Sequence, residues 1–273
     1  MSAESFADLH LHTVHSDSTL SPFELVEQAC QVGLSTIAIT DHDTVDGIPE
    51  AKKKAEELGI RVIPGVELTA YHNGREIHVV GLFIDITNSA FLTEIEKLRD
   101  ARLKRVETIA RKLEQLNAPI DVQELIDSAG GGSVGRSHLA EMLLQKGHVD
   151  SLSEAFWRYL GNDAPCYVPK PDCTAAQAVS LIHEAGGVAV LAHPSTCNFD
   201  SILPEILKGF DGIEVFCPSH SKSQVAQYTE LAHSLDLALS GGSDDHGQRK
   251  EWRLLGQVML PQAIVDALEE RRP

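Results

Sequence analysis

The chain opens with short β-like runs alternating with amphipathic helical patterns. Phe6-Ala-Asp-Leu-His-Leu-His12 alternates apolar and polar positions, a period of two that predicts a strand. Ser21-Pro22, followed by Phe23, Leu25, Val26 and Ala29, predicts a helix with Ser21 as its N-cap and a proline in its first turn, stopped at Gly33. Ser35–Thr40 reads as a buried strand, Ile48–Leu58 as a helix closed by Gly59, and Ile60–Glu67 as the next strand. Such a β-α-β-α-β register predicts a parallel sheet or barrel.

The alternation breaks after Gly81-Leu-Phe-Ile-Asp85. Apolar residues recur at helical spacing from Leu92 to about Leu116, and shorter helical patterns follow at Asp121–Ala129, Ser137–Lys146 and Leu152–Leu160. Strand and helix then alternate again: helix Thr174–Ala185, strands Gly187–Ala192 and Gly212–Phe216, helix Ser223–Ser234, strand Leu237–Ser240. The expected fold is an α/β barrel formed by residues 1–98 and 169–273, interrupted by a mainly helical insertion at 99–168. Two independent domains are the competing organisation, but the insertion is short for a domain.

At 273 residues the chain can bury one barrel-sized core. Its longest apolar runs, such as Gly187–Ala192, are far short of a membrane span, and Met1–Asp8 shows no secretory signal, so a soluble, cytoplasmic enzyme is expected. Cys30, Cys166, Cys173, Cys197 and Cys217 form no C-x-x-C pair and read as reduced thiols. A formal charge of −17 argues against broad binding to duplex nucleic acid. It leaves an anionic substrate open, because bound divalent cations invert the local field.

In a parallel barrel the C-terminal strand ends converge on one face. Each predicted strand end here carries the same chemistry: His10-x-His12, Asp41-His42-Asp43, Glu67, His78, His193-Pro194 and Asp244-Asp245-His246, with Asp17 on the loop after the first. Residues two apart in a strand share a face, so His10 and His12 can chelate one ion. Taken singly, each motif has a bland reading: satisfied histidines, capping aspartates or a solvated loop. Recurrence at successive strand ends favours a metal site. Without Cys or Met, that site suits zinc, manganese or iron.

The set Asp8-Leu-His-Leu-His-Thr-x-x-Ser16-Asp17, Thr40-Asp-His-Asp43, Gly65-Val-Glu67, His78, Ala192-His193-Pro194 and Gly242-Ser-Asp-Asp-His246 resembles the PHP (polymerase and histidinol phosphatase) superfamily of phosphoesterases, in the family's order and over nearly the whole chain. Within it, Gly135-Arg136-Ser137-His138 and Tyr159–Lys170 resemble the bacterial group that removes the 3′-phosphate of nucleoside 3′,5′-bisphosphates. Close relatives of that group act as 5′→3′ exonucleases on short RNA.

The resemblance implies a distorted (β/α)7 barrel holding three divalent ions, manganese foremost. One ion would take His10, His12, Glu67 and Asp244, with Glu67 bridging to a second held by His78 and His193. The third would take Asp17, His42 and His246. Two nearby ions would lower the pKa of a bridging water for attack and clamp the phosphoryl oxygens, so His10, His12, Glu67 and Asp244 would act catalytically through the metal. The implied assembly carries about +2 with a bridging hydroxide, and an acidic protein thereby presents a positive pocket to a polyanion.

Arg136 and Ser137, at the predicted start of a helix, are candidates for the substrate's second phosphate, as are Lys170 and His220. His220 and Asp43 are candidates for assisting the leaving group or orienting a ligand. The bland readings are a flexible linker for Gly130-Gly131-Gly132 and a solvated side chain for Lys170. His148, His183 and His233 read as surface or packing residues, and His15 and His72 remain open. Phe156, Trp157 and Tyr159 read as the core of the insertion rather than a base-stacking platform.

The expected partner is a small anionic nucleotide or a short oligonucleotide, with neither membrane nor obligate protein partner evident. The leading expectation is hydrolysis of adenosine 3′,5′-bisphosphate to AMP. The alternatives are a 5′→3′ exonuclease, a histidinol-phosphate phosphatase and a non-catalytic metal-binding module.

Overall fold

A computed structural model describes residues 5–73, 75–129, 132–169, 173–197, 200–249 and 253–273. The first strand, β1 (Phe6–Leu11), is followed by α1 (Pro22–Gln31), β2 (Thr36–Ile39), α2 (Ile48–Leu58) and β3 (Arg61–His72). Ser21 caps α1 through a full capping box with Glu24, and Gly59 ends α2 at φ +70, where a side chain would be strained. Strands β1, β2 and β3 pair in parallel. Ala7 to Leu11 are all buried, so β1 lacks the expected polar face: a barrel strand is covered outside by helices and inside by the barrel's contents.

The parallel expectation fails at the next strand. β4 (Arg75–Leu82) folds back on β3 as a hairpin, with Glu67 opposite Val80 and Thr69 opposite His78. β3 therefore runs five residues past Glu67, and His78 lies within a strand rather than at its C-terminal end. The signal was Asn73-Gly74, the preferred dipeptide of a two-residue hairpin, and His72 pairs directly with Arg75. Because β4 is reversed, its N-terminal half reaches the same barrel face as the C-terminal ends of the parallel strands. This inversion is the distortion of the barrel.

Helix α3 (Ser89–Gln115) leaves β4 and is followed by α4 (Val122–Ser128), α5 (Arg136–Gln145) and α6 (Leu152–Ala155), which passes into a π-helical turn at Phe156–Leu160. Asn88 caps α3 and Asp121 caps α4. The 27 residues of α3 extend about 40 Å. Phe91 and Ile95, near its start, pack in the main core, whereas Val106, Ile109 and Leu113 build a second cluster with Leu125, Leu139, Leu143 and Leu160. Tyr159 belongs to this cluster and Phe156 packs against it, but Trp157 is 72% exposed, contrary to its expected core position. The π-helical turn presents Trp157 and Arg158 outward while Tyr159 and Leu160 face in.

The chain returns through α7 (Ala175–Glu184), β5 (Val188–Leu191), α8 (Leu203–Ile206), β6 (Gly212–Phe216), α9 (Lys222–Ser234), β7 (Ala238–Gly241), β8 (Leu260–Pro261) and α10 (Gln262–Glu269). β5 is antiparallel to β4, β6 and β7 continue in parallel, and β8 lies antiparallel to β1. The sheet order β7-β6-β5-β4-β3-β2-β1-β8 nearly closes into a barrel. Closure comes where the chain after β7 meets β1: Asp244 N donates to His10 O at 2.9 Å and His12 N to Asp245 O at 3.2 Å. Among the described residues, no helix is long and apolar enough to cross a membrane.

Candidate metal centre

The strand ends converge on one buried cluster of imidazoles and carboxylates. Glu67 lies at its middle, with Oε2 3.3 Å from His10 Nε2, 3.2 Å from His12 Nε2 and 3.2 Å from His42 Nδ1. Its Oε1 lies 2.8 Å from His78 Nδ1 and 3.1 Å from His193 Nε2. Asp244 Oδ1 stands 3.3 Å from His12 Nε2, and Asp17 Oδ1 stands 3.3 Å from His246 Nε2. Among the described residues, three groups have ligand atoms close enough to surround an ion: His10, His12, Glu67 and Asp244; His12, Asp17, His42 and His246; and His42, Glu67 and His78. His12, His42 and Glu67 each belong to two groups, so these groups are contiguous.

Local sequence explains the placement. Asp8, His10 and His12 alternate along β1 and its extension; Asp8 Oδ1 accepts from His10 N and from Ser243 N, stitching β1 to the loop that carries Asp244. Gly242 permits that approach, since a Cβ there would sit 2.2 Å from His10 Cβ. In Asp41-His42-Asp43 only the histidine enters the cluster. Asp41 instead accepts from Thr13 N at 2.7 Å and from Ser16 Oγ, shaping the loop that carries Asp17. Likewise Asp245 accepts from Leu254 N and Leu255 N, leaving Asp244 and His246 to face the cluster. Asp43, His193 and Asp244 all have positive φ, a strained geometry that such sites commonly hold.

The donor set fits divalent ions. His10 Nδ1–H donates to Glu214 Oε1 at 2.8 Å, His193 Nδ1–H to Thr196 Oγ1 at 3.0 Å and His246 Nδ1–H to Asp244 O at 2.9 Å. With Nδ1 engaged in this way, Nε2 is the nitrogen each ring would offer to a metal ion, the arrangement that metal-binding histidines adopt. His10 Nε2, His12 Nε2, His42 Nδ1 and Asp17 Oδ1 are buried without a hydrogen-bond partner, although carboxylate or imidazole atoms lie within 4 Å of each. Buried polar atoms that face one cluster without bonding one another call for bound cations.

Titration follows the same field. Burial opposes a charged ring at His12, but Asp244, Glu67 and Asp17 outweigh it and raise its pKa to about 10. At His10, Glu214 and Glu67 likewise overcome burial and hold the ring well above the usual range. Burial would raise Glu67, but His42, His78 and His10 hold it well below the carboxylate range. Asp17 is also low, because His246 and His42 overcome its burial. Burial, aided by Arg102 and His12, pushes His42 well below its usual value.

The remaining expected site residues lie around this centre. Ser137 Oγ donates to Asp17 Oδ2 at 3.3 Å. Arg136 Nη1 donates to Leu160 O at 3.2 Å and Asn162 Oδ1 at 2.9 Å, while Nη2 lies 3.7 Å from Glu76 Oε1. His220 Nδ1 donates to Val215 O at 2.8 Å, with its ring edge-on to Tyr228. Asp43 Oδ2 is engaged by buried Arg102 at 2.8 Å. Lys170 lies outside the described residues, as do Gly130 and Gly131. His183 pairs with Asp211 away from the cluster, and His15 and His72 join none of the three groups.

Three contributors were missed in the sequence. Glu214, 1% exposed, holds His10 and also accepts from His193 N at 2.7 Å. Its signal was present: a lone carboxylate within the apolar strand Gly212–Phe216 must find a partner. Glu76, whose Oε1 lies 3.2 Å from His78 Nε2, and Arg102 gave no comparable signal, because their partners are set by the β4 reversal and by the course of α3.

Buried imidazoles and carboxylates converging at the mouth of an α/β barrel, with cationic side chains at the rim, suit a metal-dependent hydrolase, and the relatives narrow that class to phosphoesterases. The chain belongs to the PHP domain family, whose sequence profile matches residues 8–161. It is 36% identical over 269 residues to the 5′-3′ exoribonuclease Rnm of Escherichia coli (strain K12), covering 96% of this chain and 92% of that protein. It is 32% identical over 262 residues to a 3′,5′-nucleoside bisphosphate phosphatase of Chromobacterium violaceum, covering 92% and 90% of the two chains. A Bifidobacterium adolescentis structure described as a metal-dependent phosphoesterase superposes with a TM-score of 0.89 at 31% identity, covering 98% of this chain and 96% of its own.

Proposed function

We propose that this protein hydrolyses the phosphate ester on the 3′ oxygen of a 5′-phosphorylated nucleotide. On a nucleoside 3′,5′-bisphosphate that reaction releases inorganic phosphate; on short 5′-phosphorylated RNA it releases a 5′-mononucleotide, one residue at a time from the 5′ end. Both reactions cleave the same position of the first nucleotide, and both names occur among the relatives at 32–36% identity. The observation that supports the reading is the junction of the carboxylate–imidazole cluster with Arg136 and Ser137: Ser137 donates to Asp17, and Arg136 faces Glu76, the partner of His78, so two side chains suited to an anion border the candidate ligands.

The candidate ligands are His10, His12, Asp17, His42, Glu67, His78, His193, Asp244 and His246, with room for up to three ions. Divalent ions bound there, manganese foremost, supply a nucleophile at neutral pH and neutralise charge on the phosphoryl group. The chain's own groups then do the rest. Glu214 and Thr196 fix the rings of His10 and His193, and Asp41 fixes the loop that carries Asp17. The insertion, residues 99–168, acts as a substrate-binding cap through Arg136 and Ser137, which receive the phosphate that is retained.

The test compares adenosine 3′,5′-bisphosphate, 3′-AMP and a 5′-phosphorylated dinucleotide with the manganese-loaded protein. The bisphosphate should yield AMP and phosphate, and the dinucleotide should yield 5′-mononucleotides. Release of the 5′-phosphate, or 3′-AMP turned over as efficiently as the bisphosphate, would refute the reading.

A further inference from the structure

A pocket of about 290 Å³ lies between α5 and the helix that ends in the π-helical turn, and it reaches the metal centre. That size is at the lower end of small-molecule pockets, which start at about 300 Å³. One wall comes from Ser137, Ala140 and Glu141, whose spacing puts them on one face of α5. Leu152, Ser153 and Phe156 form the opposite wall. His246 also lines the pocket, with its Nε2 3.3 Å from Asp17 Oδ1, and Ser137 Oγ donates to Asp17 Oδ2 at 3.3 Å. A molecule held at Asp17 and His246 therefore meets this pocket directly.

The lining does not suit a phosphate. Among the described residues it holds one carboxylate, Glu141, and neither lysine nor arginine. Its character is apolar and aromatic instead. Phe156 is half-buried, packing against the second core cluster while it lines the pocket. Trp157 lies four residues past Ser153, on the side of the helix that Ser153 gives to the pocket. At 72% it is much more exposed than the other large apolar side chains among the described residues, of which Leu116 is next at 42%. An indole left in water forgoes a large burial, so its place beside a second aromatic ring at the mouth of a pocket calls for a planar, apolar occupant. A nucleobase is such a group, because every base offers a π face to an aromatic side chain.

The start of α5 divides the rim into two sectors. Consecutive helical residues point about 100° apart. Arg136 faces Glu76 and the His78 side, whereas Ser137 faces Asp17 and the pocket. Hydrolysis joins water's oxygen to phosphorus, and O3′ leaves with the bonding electron pair and takes up the proton. Whatever else phosphorus carries stays on it: oxygen alone in a mononucleotide bisphosphate, but the O5′ of the next nucleotide in RNA. We propose that the pocket between α5 and Phe156 receives the nucleoside that follows the cleaved phosphate in a 5′-phosphorylated oligonucleotide, with its base stacked on Phe156 and Trp157. The proposal rests on the reading above for which bond is cleaved. Stacking reads the face of a base and not its edge, so the subsite selects for chain length and accepts any base.

The test uses the full chain loaded with manganese and three substrates: adenosine 3′,5′-bisphosphate, a 5′-phosphorylated diadenylate, and the same dinucleotide with an abasic second residue. Trp157→Ala and Phe156→Leu should each lower kcat/KM on the diadenylate about fivefold or more, and change it less than about twofold on the bisphosphate and on the abasic substrate. In the wild type, removing the second base should cost about as much as removing the aromatic ring. Equal losses on the bisphosphate and the diadenylate would place the first base in the pocket and overturn the proposal, as would losses below about twofold on the diadenylate. If Phe156→Leu does not fold, the exposed Trp157→Ala decides by the same criteria. Binding gives a readout without turnover: a diadenylate analogue with CH2 in place of the first O3′ should bind about fivefold or more weakly to the variants in calorimetry, while AMP affinity stays within about twofold. Analogue binding that depends on the two rings, without hydrolysis of any of the substrates, sinks the functional reading alone. Hydrolysis of the diadenylate with no dependence on either ring sinks the subsite alone.

Discussion

Glu214→Gln changes one atom type at a position where geometry leaves the new amide no good orientation. The carboxylate accepts from two groups: His10 Nδ1 at 2.8 Å and the backbone N–H of His193 at 2.7 Å. The backbone N–H can only donate, so the glutamine oxygen must face it. The amide NH2 then faces His10 Nδ1, which must become an acceptor, and the ring proton moves to Nε2. That nitrogen faces Glu67 and Asp244, and it is the lone-pair donor the centre requires. Turning the amide over keeps the tautomer but sets NH2 against N–H in a site 1% exposed, at a cost of about 1–3 kcal/mol. Either way, metal affinity should fall about 10- to 100-fold, or roughly 1.4–2.8 kcal/mol. A chromophoric chelator competing for manganese or zinc measures this directly, and thermal melts of the metal-free proteins separate a folding defect from a binding one. Metal affinity within twofold of wild type would show that Glu214 does not set the His10 tautomer.

Two further outcomes follow from buried charge. Arg102→Met strands Asp43 without its partner and should cost about 3–5 kcal/mol in urea unfolding, whereas the double variant with Asp43→Asn should recover much of that loss; a cost under about 1 kcal/mol for the single variant refutes the pairing. With no metal bound, the surrounding carboxylates raise His12 to about 10 and hold His10 above its usual range, so metal binding must displace a proton from His12 at neutral pH, with affinity rising as pH rises. The folded pKa of His12 exceeds its unfolded value of about 6.5, so its contribution to metal-free stability is full below that pH and is lost as pH rises through about 10. Calorimetry at pH 7 in buffers of different ionisation enthalpy should register proton release, and none would contradict the assigned field.

Much of this arrangement was legible in one dimension. Ser21-Pro22, Gly33 and Gly59 marked helix ends because caps act within a turn, and the strands stood out because barrel burial makes short apolar runs. Candidate ligands could be named because His, Asp and Glu recur at the ends of those runs. The direction of β4 was harder to read. A period-two pattern is the same in either direction, and only Asn73-Gly74 betrayed the hairpin. Asp43 looked available beside His42 until α3 brought Arg102 to it.

The sequence by itself therefore determined the element types, the metal-suited donor chemistry and an acidic chain that needs cations to hold a polyanion. Tertiary structure decided which of neighbouring residues face inward, as His42 does between Asp41 and Asp43. It also decided which distant side chains become partners: Glu214 with His10, Glu76 with both His78 and Arg136, and Arg102 with Asp43. The physical reason is range. Caps, turns and periodicity are settled within a few residues, whereas a buried charge is settled by whichever opposite charge the fold places within about 4 Å, and chain separation does not enter that distance.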